Sequence, residues 1–150
     1  MKTNTQTLKS IFLLDDDPHC LAMYQRHIRN LGVEEVRLFE DSQDFLNQLM
    51  EEPDAVIIDH SMQPFDGLEV LKKIKRQNPD LPVIYLSAQK DMKTAVDALK
   101  FGAFDYIIKD DNDLDHLTEV IARLSKYLQE IQLRRKRSFA GILSSITKMF

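Results

Sequence analysis

Acidic side chains, one hydroxyl and one ammonium stand where short apolar runs of this chain end: Asp15-Asp16-Asp17 after Ile11–Leu14, Asp59 after Ala55–Ile58, Ser87 after Val83–Leu86, and Lys109 after Tyr106–Ile108. Carboxylates crowded together repel one another, and a hard divalent cation with oxygen ligands relieves that repulsion. Mg²⁺ suits such a set, because it takes one or two carboxylates, waters and a phosphate oxygen. Asp16 and Asp59 are the expected ligands. A carboxylate is also a nucleophile toward phosphorus, giving an acyl phosphate when cations neutralise the equatorial oxygens of the transition state. Lys109 and the Ser87 hydroxyl can supply the rest of that stabilisation. Singly each residue has a plain reading: an Asp starts a turn, a Ser ends a strand, a Lys is a surface charge. Their joint placement carries the chemistry.

What must position them is a sheet. Five apolar runs, the four above and Val36–Phe39, alternate with helical patterns. Strands alternating with helices imply βαβ units and a parallel sheet covered on both faces, so the expected class is α/β. Such sheets bind ligands outside the carboxyl ends of the strands, where strand order reverses. Val36-Arg37-Leu38-Phe39 carries a charge, as an edge strand can, and its exit, Glu40-Asp41, is expected away from the crevice. The helices show their punctuation. Asp17 is an N-cap followed by Pro18, and Leu21, Tyr24, Ile28 and Leu31 form a stripe ending at Gly32. Ser42 is expected to cap a second helix with Phe45, Leu46 and Leu49 inward. The third spans Leu68 to Gln77, and the fourth runs from about Asp91 to Phe101, stopping at Gly102.

At 150 residues, 43% hydrophobic and 29% charged, the chain fits one globular domain, and no apolar stretch approaches the ~20 residues that span a bilayer. Met1 to Lys9 is polar, without the apolar core of a signal peptide, which predicts a flexible N-terminus and a cytoplasmic location. Cys20 is the only cysteine, which excludes an internal disulfide and a multi-Cys metal site. It is expected to pack a helix. Charge is asymmetric: residues 126–150 hold six Lys/Arg and one Glu, a net +5, leaving 14 Lys/Arg and 23 Asp/Glu, a net −9, in residues 1–125.

Together, IFLLDDDP (11–18), VIIDHSM followed after two residues by FDG (56–67), YLSA (85–88) and FGAFDYIIK (101–109) resemble the receiver domain of bacterial two-component response regulators, the CheY-like family. The resemblance covers roughly residues 10–130. It implies a flavodoxin-like (βα)5 doubly wound sheet with strand order 2-1-3-4-5. By analogy Asp59 is the phosphoacceptor, Asp15 and Asp16 form the acidic pocket, and the backbone carbonyl of Ser61 completes the Mg²⁺ shell. Ser87 is the hydroxyl switch residue, Lys109 the family lysine, and Tyr106, a buried aromatic on a central strand, the aromatic switch. A histidine kinase or phosphotransfer protein would present phosphohistidine, Asp59 would attack it, and Ser87 and Tyr106 would move to reshape the face of the fourth helix, fifth strand and fifth helix. Ser61 and Gln89 stand where the family tunes the lifetime of the phosphoryl group. The chain is then a phosphoacceptor rather than an enzyme acting on a separate substrate. Two departures stand out: Lys109 is followed by Asp110 instead of proline, and Pro64 is displaced by one residue from its usual place.

Three alternatives stay open. Asp15-x-Asp17, Ser87, Lys109 and Asp110-Asp111 mimic the motif order of a small haloacid-dehalogenase-like phosphatase with Asp15 as nucleophile, although Pro18 and the Asp59–Gly67 loop do not fit it. A receiver used only as a phosphate sink or relay would look the same in sequence. His60 invites a proton-transfer role, but adjacent strand residues point to opposite sides, which favours a helix-packing or surface role. His19, His27 and His116 lack metal-ligand spacing.

The domain reading is a flexible 1–9, a receiver over 10–126 and a helical basic and amphipathic extension over 127–150. Leu114, Leu117, Ile121, Leu124, Leu128 and Ile131 recur at 3-4 spacing, so the last helix either lies along its own domain or pairs with a second copy in a homodimer. Arg134-Arg135-Lys136-Arg137 then precedes a stripe of Phe139, Ile142, Leu143, Ile146 and Phe150. Protein docking or packing on the acidic body is favoured over a membrane, and four basic residues give only non-specific nucleic-acid binding.

Overall fold

The computed structural model describes residues 7–88 and 92–149. Strands β1 (Ser10–Leu14), β2 (Glu35–Phe39), β3 (Ala55–Asp59), β4 (Val83–Ser87) and β5 (Asp105–Ile108) alternate with helices α1 (Pro18–Asn30), α2 (Ser42–Gln48), α3 (Gly67–Gln77), α4 (Met92–Lys100) and α5 (Asp113–Lys148). The strands pair in parallel in the order β2-β1-β3-β4-β5. This is the expected flavodoxin-like topology with an extended C-terminal helix. Each strand lies within one residue of its apolar run, because both faces are covered and hydrophobic content alone marks the span. Order reverses between β1 and β3, which opens the crevice at their carboxyl ends.

Alternation along the strands divides the core. Ile11, Leu13, Ile57, Ile84 and Leu86 face α1 and α5, where Leu21, Ile28, Leu117 and Leu124 meet them. Phe12, Leu14, Val56, Ile58 and Val83 face the other layer, with Phe45, Val70, Leu71 and Ile74. Burying each such side chain contributes about 1.5–3 kcal/mol, so the strand ends rest on a rigid platform. Asp17 caps α1 by accepting from the His19 N–H, and Gly32 (φ 102°) and Gly102 (φ 101°) adopt the left-handed conformation that stops α1 and α4. Tyr24 donates to Asp113 at 2.7 Å and ties α1 to the start of α5.

Some expectations are corrected. Asp41, not Ser42, caps α2, accepting from the N–H groups of Gln43 and Asp44. Ser42 instead accepts from the Phe65 N–H at 3.0 Å, and its own N–H donates to the Gln63 carbonyl, so it pins the loop after β3. Leu49 belongs to a 3₁₀ turn following α2. The segment 1–9 is anchored at its end: Leu8 is fully buried, and the N–H groups of Lys9 and Ser10 donate to Asp54. Tyr106 is half-buried on the edge strand β5, not enclosed on a central one. Asp91, expected to start the fourth helix, lies outside the described residues.

Gly67 is fixed by contact rather than by φ. A Cβ there would stand 2.6 Å from the Asp59 carbonyl oxygen and 2.8 Å from His60 Cα, both backbone atoms that cannot swing away. Gly67→Ala is therefore expected to lower stability by about 1–3 kcal/mol, as overpacking does, and to displace Asp59; urea denaturation measures the first effect. A wild-type midpoint would contradict it.

The last helix is continuous over 36 residues. Leu128 and Ile131 are half-buried at the body's edge, whereas every described residue from 132 to 149 is exposed. The extension therefore projects, and packing on its own acidic body is not what the fold does with it. Phe150 lies outside the described residues.

Candidate functional site

Asp15 continues the β1 ladder, its N–H donating to the Phe39 carbonyl, and Asp59 closes β3 beside it. Both side chains sit at the mouth of the crevice yet are almost wholly enclosed, 0% and 4% exposed. Lys109 follows β5 and crosses above β4 to reach them: its ammonium lies 2.6 Å from Asp15 Oδ2 and 2.7 Å from Asp59 Oδ1. The remaining oxygens accept backbone N–H groups, Asp15 Oδ1 from Asp17 at 2.9 Å and Asp59 Oδ2 from Ser61 at 3.1 Å. Backbone geometry sets the lysine's aim, since the Lys109 N–H donates to the Ser87 carbonyl at 2.9 Å. The cis peptide among the described residues is Gln63–Pro64, and Lys109–Asp110 is trans. Asp110 in place of proline thus leaves the lysine able to reach both carboxylates.

Electrostatics follow from burial. Desolvation pushes the Asp59 carboxyl up from 3.8, opposed by the Lys109 hydrogen bond and reinforced by the Asp15 charge. Burial pulls the Lys109 ammonium down, but its hydrogen bonds to Asp15 and Asp59 override this and leave it pushed up to about 12. One carboxylate oxygen from each of Asp15, Asp16 and Asp59 lies within 4.8 Å of the others, with Asp16 exposed to solvent. Three acids face one ammonium. That excess of negative charge on hard oxygen donors fits a divalent cation.

Ser87 falls on the same rim, whereas Tyr106 lies within β5, three residues before Lys109. Ser87, fully buried, ends β4 one residue past Leu86, the register partner of Asp59. Tyr106 pairs in register with Tyr85, and their rings stack with centroids 5.8 Å apart. Tyr85 offers one signal in the sequence, a hydroxyl in the otherwise aliphatic run Val83–Leu86. Fully buried, it lies 2.5 Å through its hydroxyl from His60 Nδ1. His60 is therefore half-buried and held against β4 through the Tyr85 hydroxyl, a strand partner where a helix or the surface is expected. A continuous contact runs from the residue beside Asp59 through Tyr85 to Tyr106. Asp17 is occupied in capping α1, accepting also from Cys20 Sγ at 3.4 Å. Burial, then that hydrogen bond, pushes the half-buried Cys20 thiol up to about 11, away from reactivity. Gln89 lies outside the described residues.

Residues 11–122 match the response regulator receiver domain family. The chain is 36% identical over 141 residues to the DNA-binding transcriptional regulator NtrC of Proteus hauseri, covering 93% of this chain and 29% of that one. It is 36% identical over 121 residues to the transcriptional regulatory protein ZraR of Salmonella typhimurium, covering 80% and 27%. It thus spans under a third of the length of these curated relatives. A receiver domain protein from Clostridium thermocellum superposes with a TM-score of 0.75 at 28% identity, covering 83% of this chain and 99% of that one. The response regulator TrrA of Thermotoga maritima, solved in complex with Mg²⁺-BeF, superposes with a TM-score of 0.70 at 26% identity, covering 77% and 98%.

Proposed function

This chain belongs to the response regulator receiver domain family, and from that premise we propose that it accepts a phosphoryl group on Asp59 and signals through contacts that change when it does. The haloacid-dehalogenase-like alternative is set aside with the family match. The observation that carries the reading is the Lys109 ammonium bridging the buried Asp15 and Asp59 carboxylates, with Asp16 alongside.

Asp15, Asp16 and Asp59, with the Ser61 backbone carbonyl, would hold the metal. Mg²⁺ supplies charge neutralisation for the phosphoryl oxygens when bound. The chain's own residues do the rest. Ser61 N–H fixes one Asp59 oxygen, leaving the carboxylate oriented for in-line attack on phosphorus. As the new O–P bond forms, the P–N bond of a partner's phosphohistidine breaks and its electron pair stays with the imidazole. Lys109 stabilises the charge spread over the transferring group, and Ser87 donates its hydroxyl to a phosphoryl oxygen. Ser87's movement then frees Tyr106 to turn inward, biasing a two-state equilibrium of the α4–β5–α5 face. The donor is a histidine kinase or histidine phosphotransfer protein, and the output is a protein partner of that face.

Treatment with acetyl phosphate and Mg²⁺, then hydroxylamine, is expected to convert one acyl phosphate to a hydroxamate on the peptide carrying Asp59. A hydroxamate on the Asp15 peptide instead would overturn the assignment. Mg²⁺ should also stabilise the protein by about 2.7 kcal/mol at a hundredfold excess over its Kd. Asp16→Asn removes a ligand without touching Lys109, so thermal denaturation of this variant is expected to lose most of the Mg²⁺-dependent rise while keeping the metal-free midpoint. An equal rise in both proteins would remove Asp16 from the metal site.

A further inference from the structure

Tyr85 takes no part in the chemistry at Asp59, yet it touches a neighbour of that residue at one end and Tyr106 at the other. Its side chain is fully buried, and its hydroxyl shares a hydrogen bond of 2.5 Å with Nδ1 of His60, the residue that follows Asp59. A Cβ on Gly67 would stand 2.7 Å from the same hydroxyl, so the oxygen is lodged against the start of α3. The His60 backbone is held as closely. Its N–H donates to the Leu86 carbonyl at 2.9 Å, and its carbonyl accepts from the N–H groups of Met62 at 3.1 Å and Gly67 at 2.8 Å. The peptide that leads from Asp59 into the loop is therefore gripped by β4 through backbone and side chain together.

The ring is the other end of the link. Tyr85 and Tyr106 are register partners on β4 and β5, and their rings lie 14° from parallel with centroids 5.8 Å apart. Ser87, two residues beyond Tyr85, stands on the same face of β4. A Tyr106 ring that turns inward toward Ser87 therefore moves along the Tyr85 ring. How firmly that ring stands is set at its hydroxyl: an anchored ring gives Tyr106 a fixed surface, and a displacement of His60 is passed on as a displacement of that surface. Phenylalanine would fill nearly the same volume without the anchor.

We propose that Tyr85 is a positioning residue that couples Asp59 to Tyr106, its hydroxyl following the Asp59–His60 segment and its ring passing the change to Tyr106. The proposal rests on Asp59 being the phosphoacceptor and adds a link through His60 to the one through Ser87. The competing account is a core tyrosine whose hydroxyl is merely satisfied. Such a residue supports the fold and leaves the coupling alone.

Nuclear magnetic resonance of the full chain separates the two. The tyrosine rings are labelled with ¹³C, Tyr106→Phe identifies the Tyr106 signal among the four tyrosines, and beryllofluoride with Mg²⁺ serves as the phosphoryl analogue. Bound beryllofluoride gives its own ¹⁹F signal, which reports occupancy independently. In wild type, saturating beryllofluoride is expected to move the Tyr106 signal. Tyr85→Phe should still bind the analogue, but its ratio of inward to outward Tyr106 is expected to fall about fivefold, the weight of one net hydrogen bond. His60→Leu should give the same loss, and the double variant no more than either alone, because both remove one interaction. His60→Asn should regain the ratio, since its amide can donate or accept near the place of Nδ1. A wild-type ratio in Tyr85→Phe, with or without a lowered urea midpoint, losses that add in the double variant, or no rescue by His60→Asn would each overturn the coupling and leave Asp59 as phosphoacceptor. No bound beryllofluoride in wild type would overturn the phosphoacceptor reading and this proposal with it.

Discussion

Lys109→Met is expected to cost stability and phosphoryl acceptance together. The lysine is the cation facing two carboxylates that are 0% and 4% exposed. Removing it leaves buried like charges opposed only by backbone N–H groups, and breaking a buried pair in this way costs about 3–5 kcal/mol. The sign with pH is set by the lysine's own shift. Its folded value is pushed up to about 12 from 10.5, so its contribution is fully present below pH 10.5 and is lost only as pH rises through about 12. At neutral pH the whole deficit should appear in urea denaturation without metal. Saturating Mg²⁺ should restore part of the stability, because a cation again faces the acids. It should not restore the rate of labelling by acetyl phosphate, which is expected to fall about 10²–10³-fold, the size of losing one preorganised donor to a developing charge. Wild-type stability and rate in this variant would show that Lys109 is a bystander.

Asp59→Asn should move stability the other way. The pocket holds more acid than base, so replacing an acid relieves what removing the lysine aggravates. Burial holds the folded Asp59 carboxyl above its unfolded 3.8. A group shifted in that direction favours the fold fully below the unfolded value, and that contribution is lost as pH rises through the folded one. Without metal, wild type should therefore lose stability relative to Asp59→Asn as pH is raised from 3.8 toward neutrality. At pH 7 the variant is expected to be the more stable by about 1 kcal/mol, an ordinary size for a single substitution. Urea midpoints of the two proteins across that range measure the difference, in which the histidines common to both cancel. A variant less stable than wild type at pH 7 would mean that the Lys109–Asp59 contact outweighs the desolvation of Asp59.

The strand-exit residues were legible because a parallel sheet brings its carboxyl ends to one rim, whatever the loops between them do. Asp15, Asp59, Ser87 and Lys109 needed only strand identity and order to be brought together. Long-range side-chain partners were not legible in the same way. Tyr85 and His60 are separated by 25 residues and meet only because β3 and β4 are neighbours in register. The cap of α2 turned on one residue: Asp41 and Ser42 are both good caps, and Ser42 was drawn off by the loop at Phe65, whose N–H it accepts. Tyr106 reads as a central-strand residue because its neighbours Ile107 and Ile108 are as apolar as a central strand's, yet only Ile107 is buried, on the α5 side, and Ile108 is half-buried. The stripe of α5 was readable as far as Ile131, but where the body ends beneath it depends on the depth of the sheet, which spacing does not encode.

The most direct measurement is intact mass after incubation with acetyl phosphate and Mg²⁺ for wild type, Asp59→Asn and Asp15→Asn, each shown to be folded. Wild type is expected to gain a single labile phosphoryl group, Asp15→Asn to gain it more slowly, and Asp59→Asn to gain none. Labelling that survives Asp59→Asn but is lost in Asp15→Asn would contradict the account, because the nucleophile would then lie at the end of β1 rather than β3.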